Sequence, residues 1–156
     1  HDVRPVYVRS GLAWEGAELR MLARLIAAPA LATHLLPLTV VELPMRDVYP
    51  QDHWAILGQA PDYDTPDEDV YLIGRNLTLL AKAGVVAARA DARRIALGPL
   101  AGNPFPDATP AFFAAMAEAL SRGLAHALSI ATPFAALHKH QVIELGARLG
   151  VPFELT

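Results

Sequence analysis

A chain of 156 residues with 53% apolar and 19% charged side chains carries enough apolar material for a core and is expected to form one domain spanning residues 1–156. Its net charge of −3 offers no basic face of the size that phosphate backbones require, so nucleic acid is not an expected partner. Apolar runs such as residues 35–43 and 95–100 are broken by proline or polar residues and fall well below the roughly 18 consecutive residues of a membrane span, so no membrane is expected as a partner either.

The chain contains no cysteine, which excludes a disulfide framework, a thiolate nucleophile and cysteine zinc ligands within these residues. It opens on His1 without the pattern of a signal peptide, and the expected compartment is the cytoplasm.

Residues 3–8 read as a short buried strand. Residues 14–28 read as an amphipathic helix, with Leu19, Leu22 and Ile26 at spacings of three and four and Pro29 at its end. A second strand is expected over residues 38–43, where Thr39, Val40 and Val41 adjoin and Pro37 and Pro44 close the run. Residues 45–71 carry Pro50, Pro61 and Pro66, with acids at Asp62, Asp64, Asp67, Glu68 and Asp69. That composition predicts a long solvated loop with one short helix near residues 53–57, and loops of this length are commonly functional or mobile.

Gly74-Arg75-Asn76 then opens a helix to about residue 90, whose apolar face is expected from Leu77, Leu80, Ala81, Gly84, Val85 and Ala88. Residues 94–97 form the next strand. Thr109 as N-cap and Pro110 at the first helical position start a helix that buries Phe113, Met116, Ala117 and Leu120. Residues 128–131 are a fourth strand. A last helix over about residues 139–149 buries Val142, Leu145 and Leu149 and stops at Gly150, and residues 152–155 are expected to begin a further strand.

Strands alternating with helices of this length predict an α/β fold, a doubly wound parallel sheet with helices on both faces, whose ligands collect beyond the carboxyl ends of the strands. Residues 8–11, 98–107 and 132–139 all follow strands and are expected to meet at one rim.

Several positions there invite chemistry. The first amides of a helix favour an anion and Arg75 adds a forked pair of donors, while the plainest local reading of Gly74-Arg75-Asn76 is a glycine turn with Asn76 as helix cap. Lys139, near the start of the last helix, either offers a point charge to a phosphate or is an ordinary exposed lysine. His138 and His140 stand two apart, so on a helix their side chains diverge and a shared metal is not expected. Gly98 either lets a ligand approach the backbone or makes a sharp exit turn. Glu15 and Glu18 read as a solvated helix face that complements the helix N-terminus. The chain has no Gly-x-Gly-x-x-Gly, no Gly-x4-Gly-Lys-Ser/Thr and no Gly-x-Ser-x-Gly, so dinucleotide oxidoreductase, Walker ATPase and serine hydrolase readings lack their defining loops.

Gly74-Arg75-Asn76 ahead of an apolar helix, Gly102-Asn103-Pro104-Phe105-Pro106-Asp107 after a strand, and Thr132-Pro133 ahead of Lys139 together resemble the ATP pyrophosphatase (PP-loop) family, in particular enzymes like the 7-cyano-7-deazaguanine synthases. The resemblance covers most of the chain. It implies an adenine nucleotide alpha hydrolase-like (HUP type) domain that uses ATP and Mg²⁺, transfers AMP to a carboxylate with release of pyrophosphate, and exposes the activated carbon to ammonia. The substrate it implies is a deazapurine carboxylic acid or a similar small molecule, and it allows a homodimer.

By the same resemblance, Lys139 and Arg75 are the catalytic residues. Tyr7, Val8, Gly74, Arg75, Asn76, Gly98 and Lys139 border the nucleotide, and Asn103, Phe105 and Asp107 meet the substrate. The resemblance assigns no metal ligands. Similar enzymes carry Tyr-Pro-Asp-Cys-Arg where this chain has Phe105-Pro106-Asp107-Ala108-Thr109, a departure that bears on the substrate more than on the nucleotide. A first strand and the Ser-Gly-Gly-x-Asp-Ser loop are expected to precede His1, and zinc is expected only if a cysteine module follows Thr156. Two rival readings remain beside this one: a PP-loop relative acting on another acid, and a non-catalytic adenine-nucleotide-binding module.

Overall fold

Val6, Tyr7 and Val8 lie in register with Thr39, Val40 and Val41, β-branched and aromatic residues that suit a pleated surface. In this computed structural model, residues 2–32 and 34–155 are described, with the backbone alone at positions 30, 32 and 68. The segments expected before His1 and after Thr156 lie outside it. The architecture is α/β with parallel strands, as the alternation of elements implied. The chain divides into two compact units, His1–Pro66 with Gly146–Thr156, and Asp67–Leu145. Each holds one two-stranded parallel sheet.

In the first unit, β1 (Val6–Arg9) pairs with β2 (Thr39–Glu42). Pro5 has no N–H to give, but its carbonyl accepts the Thr39 amide at 2.9 Å, and an isolated bridge joins Val3 to Leu35. Between the strands run α1 (Glu15–Ile26) and the short α2 (Pro29–Ala32). The expected helix near residue 53 is α3 (Trp54–Leu57), a single turn capped by the His53 ring, which accepts the Ala55 amide, and closed by Gly58 at φ 77°. Trp14 stacks on Trp54 with centroids 5.0 Å apart, and the Ala13 amide donates to the Ala55 carbonyl, so α3 docks on the entry to α1.

Residues 152–155 do not begin a strand. Phe153–Leu155 is a 3-10 turn, because the Val151 amide turns back to Gly146 and the Phe153 ring takes the space above that glycine, where a Cβ would stand 2.8 Å from Cζ.

In the second unit, α4 (Asp67–Val70) is a one-turn helix inside the acidic segment expected to be loop; the Glu68 side chain lies outside the described residues. It is followed by α5 (Arg75–Arg89), β3 (Arg94–Ala96), a 3-10 turn Pro106–Ala108, α6 (Pro110–Gly123) and β4 (Ser129–Ala131), which pairs parallel with β3. The Thr109 hydroxyl accepts the Phe112 amide and caps α6 as its sequence implied.

The core of this unit gathers Leu72, Leu80, Ala87, Phe113 and Leu128, with Leu80 only 1% exposed. Gly84 permits the approach of α5 to α6, since a Cβ there would stand 2.8 Å from Leu120 Cδ2. The buried stripe of α5 is therefore Leu80, Gly84 and Ala87. Leu77 and Val85, expected on that face, are 48% and 46% exposed, because the stripe that meets α6 is narrower than the apolar run.

The last helix, α7 (Lys139–Arg148), starts at the expected residue, and Gly150 follows it with φ 69°. Leu149 lies beyond its end and is 72% exposed rather than buried. Among the described residues no helix is long and apolar enough to cross a membrane.

Candidate functional site

Two strands of the second unit end beside one another, and backbone bonds carry their exits onward together. The Leu97 amide donates to the Ala131 carbonyl at 3.0 Å, extending the ladder past Ala96, and the Ala101 amide donates to the Leu137 carbonyl at 2.9 Å. Gly98 faces the Phe134 ring, where a Cβ would stand 3.4 Å from Cδ2, so its lack of a side chain eases a close contact between the two loops. The segments 98–107 and 132–139 thus run side by side, as the parallel arrangement of their strands requires. Residues 8–11 belong to the other unit.

Gly74 enters α5 in the left-handed conformation, φ 75°, and offers no side chain to cap it. Asn76 is not the cap that its local sequence suggested. It lies inside the helix, and its amide donates to Asp107 Oδ2 at 2.9 Å. Its side-chain Nδ2 donates to the Asp107 carbonyl at 3.0 Å and lies 3.5 Å from Oδ1. Asp107 itself is buried, on the 3-10 turn that precedes α6.

Phe105 stacks on Tyr71 with centroids 4.7 Å apart and planes 12° apart, and its amide donates to Asn103 Oδ1 at 3.0 Å. Gly74, Arg75, Asn76, Asn103, Phe105 and Asp107 therefore form one neighbourhood at the start of α5. The Arg75 carbonyl accepts the Thr78 hydroxyl at 2.9 Å, which fixes the first turn from within.

Lys139 is the first residue of α7 and is exposed; among the described residues its ammonium makes no ion pair with Asp107. It follows Leu137, the residue that bonds Ala101, by two positions. His138 precedes the helix, and its amide donates to Gln141 Oε1 at 2.8 Å. The divergence expected of two histidines on one helix is therefore absent. Their rings stack with centroids 6.1 Å apart and planes 5° apart, because only His140 has helical geometry. Among the described residues no group of three or more His, Cys, Asp or Glu side chains could hold a metal ion.

In the first unit, Tyr7 and Val8 pair with Val40 and Val41, and the Tyr7 hydroxyl donates to Glu18 Oε2 at 2.6 Å. Glu15 and Glu18 are not simply a solvated face. Glu15 is 5% exposed; its Oε1 accepts the amides of Ser10 and Gly11, the latter at 2.9 Å, and its Oε2 lies 3.8 Å from Arg9 Nε. Helix α1 turns back beside β1, so acids in its first turns reach the strand and its exit loop. Sequence reasoning missed Glu15, and the signal available was a carboxylate four residues after a glycine-bearing strand exit.

The family model described as queuosine biosynthesis protein QueC matches residues 11–156. The chain belongs to this family. Its relatives within the QueC family include the 7-cyano-7-deazaguanine synthase of Koribacter versatilis, 39% identical over 89 residues, an alignment that covers 55% of this chain and 38% of the relative. The synthase of Acaryochloris marina is 37% identical over 93 residues, covering 55% of this chain and 41% of its own. That of Methanoculleus marisnigri is 30% identical over 145 residues, covering 83% and 63%. The chain spans less than half the length of the first two. Membership of the QueC family accords with the resemblance to PP-loop enzymes and with an α/β fold of the HUP type.

Proposed function

We propose that this chain is the nucleotide-binding part of an ATP-dependent synthase of the 7-cyano-7-deazaguanine type, with residues 1–156 acting as one α/β nucleotide-binding domain. The observation that carries the reading is the family match over residues 11–156. The pairing of segments 98–107 and 132–139 in one unit supports it, since both descend from the carboxyl ends of parallel strands, where ligands of open α/β sheets collect.

In the proposed reaction a substrate carboxylate oxygen attacks the α-phosphorus of ATP, and the bond from that phosphorus to the bridging oxygen breaks, releasing pyrophosphate. The lone pair of ammonia then attacks the acyl carbon of the acyl-adenylate. The carbon–oxygen bond to AMP breaks, the nitrogen gives up a proton, and an amide is left. A second adenylation, on the amide oxygen, followed by loss of AMP and the remaining nitrogen protons, yields a nitrile.

Chemistry of this kind is chiefly the management of negative charge. Arg75 and Lys139 are assigned that role, the first as a planar fork and the second as a point charge on the phosphates. Gly98 gives the nucleotide room at the backbone. Asn103 and Phe105 face the substrate acid. The described residues do not form a cation cage, and Mg²⁺ would arrive on the phosphates of the nucleotide.

Pyrophosphate release from ATP, measured on the natural protein with ammonium and a panel of deazapurine carboxylic acids, tests the reading. Release that requires one of those acids supports it, and release indifferent to all of them sinks it. A PP-loop synthase acting on a different acid is the second reading. It is favoured by the loop at Phe105 to Thr109, where the aspartate expected to meet the substrate is buried against Asn76.

A further inference from the structure

Because Gly74 has no side chain, the first turn of α5 must find partners for its amides elsewhere. One partner comes from Asp107, distant in the chain. The carboxylate takes the Asn76 amide at 2.9 Å, and the Asn76 side chain returns a bond of 3.0 Å to the Asp107 carbonyl. The second carboxylate oxygen is 3.5 Å from the same Nδ2, and the residue is 7% exposed. A separate contact joins the same two segments, the stack of Tyr71 on Phe105 at 4.7 Å. Residues 71–76 and 105–107 are thus fastened at two points, one polar and one aromatic.

A carboxylate bonded to a backbone amide at a helix start gains from charge-assisted hydrogen bonding and from the positive end of the helix dipole. It also occupies the place where an anion would otherwise meet those amides. Both oxygens of Asp107 are turned to Asn76, which leaves little of the group for a small molecule.

We propose that Asp107 is a positioning residue, acting through Asn76 to hold Gly74 and Arg75 in place rather than touching the substrate. Its functional part rests on the reading of Arg75 as a nucleotide contact. With the Asn76 amide already engaged by Asp107, recognition of phosphate at this end is assigned to the guanidinium of Arg75, its neighbour in the helix.

The test compares Asp107→Asn, Asp107→Ala, Asn76→Ala and the double alanine variant. Amide hydrogen exchange at Asn76 and Leu77 and calorimetric titration with Mg-ATP are read on each. Asp107→Asn retains an acceptor oxygen for the Asn76 amide, so its exchange rates and ATP affinity should stay within about twofold of the parent. Asp107→Ala should speed exchange at the residue 76 amide and weaken ATP binding by about tenfold, whereas Asn76→Ala keeps that backbone bond, loses the side-chain bond to the Asp107 carbonyl and should weaken binding by a smaller factor, with the double variant no weaker than Asp107→Ala.

A loss of affinity in Asp107→Asn equal to that in Asp107→Ala, with exchange unchanged in both, would show a direct ligand and overturn the proposal. If Asp107→Ala does not fold, the rescue in Asp107→Asn against the loss in Asn76→Ala decides it. If the parent chain binds no ATP, the nucleotide reading falls, and unchanged exchange at the residue 76 amide in Asp107→Ala would still overturn the positioning role.

Discussion

Glu15 accepts the Gly11 amide at 2.9 Å and the Ser10 amide with the same oxygen, so the first turn of α1 is stitched to the loop that leaves β1. Both amides lie at a buried or half-buried place, and water cannot replace the carboxylate there without opening the loop. Glu15→Ala should lower stability by about 1–3 kcal/mol, the cost of leaving buried donors unmet, and Glu15→Gln should lose less because one acceptor remains. Urea unfolding measures both, and equal midpoints for parent and Glu15→Ala would refute the role.

Lys139 is exposed at the head of α7, so truncating it removes charge without opening a cavity. Lys139→Ala should leave the unfolding free energy within about 0.5 kcal/mol of the parent, as surface substitutions do. Mg-ATP affinity should fall by about tenfold if the ammonium faces the phosphates. Undiminished affinity removes Lys139 from the site.

Ala125 follows α6 with φ 49°, a conformation in which its Cβ crowds the backbone. The His126 amide donates to the Ser121 carbonyl across it, which holds the turn in that shape. Ala125→Gly should raise stability by about 0.5–1 kcal/mol, the relief of strain exceeding the added freedom of the unfolded chain. A lower thermal midpoint for the variant would contradict this.

At Gly84 helix α5 packs against α6, with Leu120 occupying the space a side chain would need. Gly84→Val should cost about 1–3 kcal/mol through overpacking, and Leu120→Ala in the same chain should recover part of that loss. Additive losses in a double-mutant cycle would show that the two residues do not compete for one space.

The candidate site was legible in part. Thr132-Pro133 and Lys139 mark a strand exit and a helix start, and both are found there, because apolar periodicity and capping are properties of a few neighbouring residues. Asn is favoured as a helix cap, yet a glycine takes that position here and Asn76 is the second residue of the helix. The rings of His138 and His140 stack rather than diverge, because two-residue spacing separates side chains only where both residues are helical and His138 precedes α7.

The sequence by itself determined the alternation of strands and helices, the starts of α6 and α7 and the kinship with PP-loop enzymes, since these depend on local pattern and on motifs a reader can see. Tertiary structure alone decided that Asp107 is engaged by Asn76, that Glu15 is buried against Ser10 and Gly11, and which face of α5 meets Leu120. A carboxylate has no preferred partner until packing excludes water around it, and only then does the nearest unmet amide become the place where its charge is best satisfied.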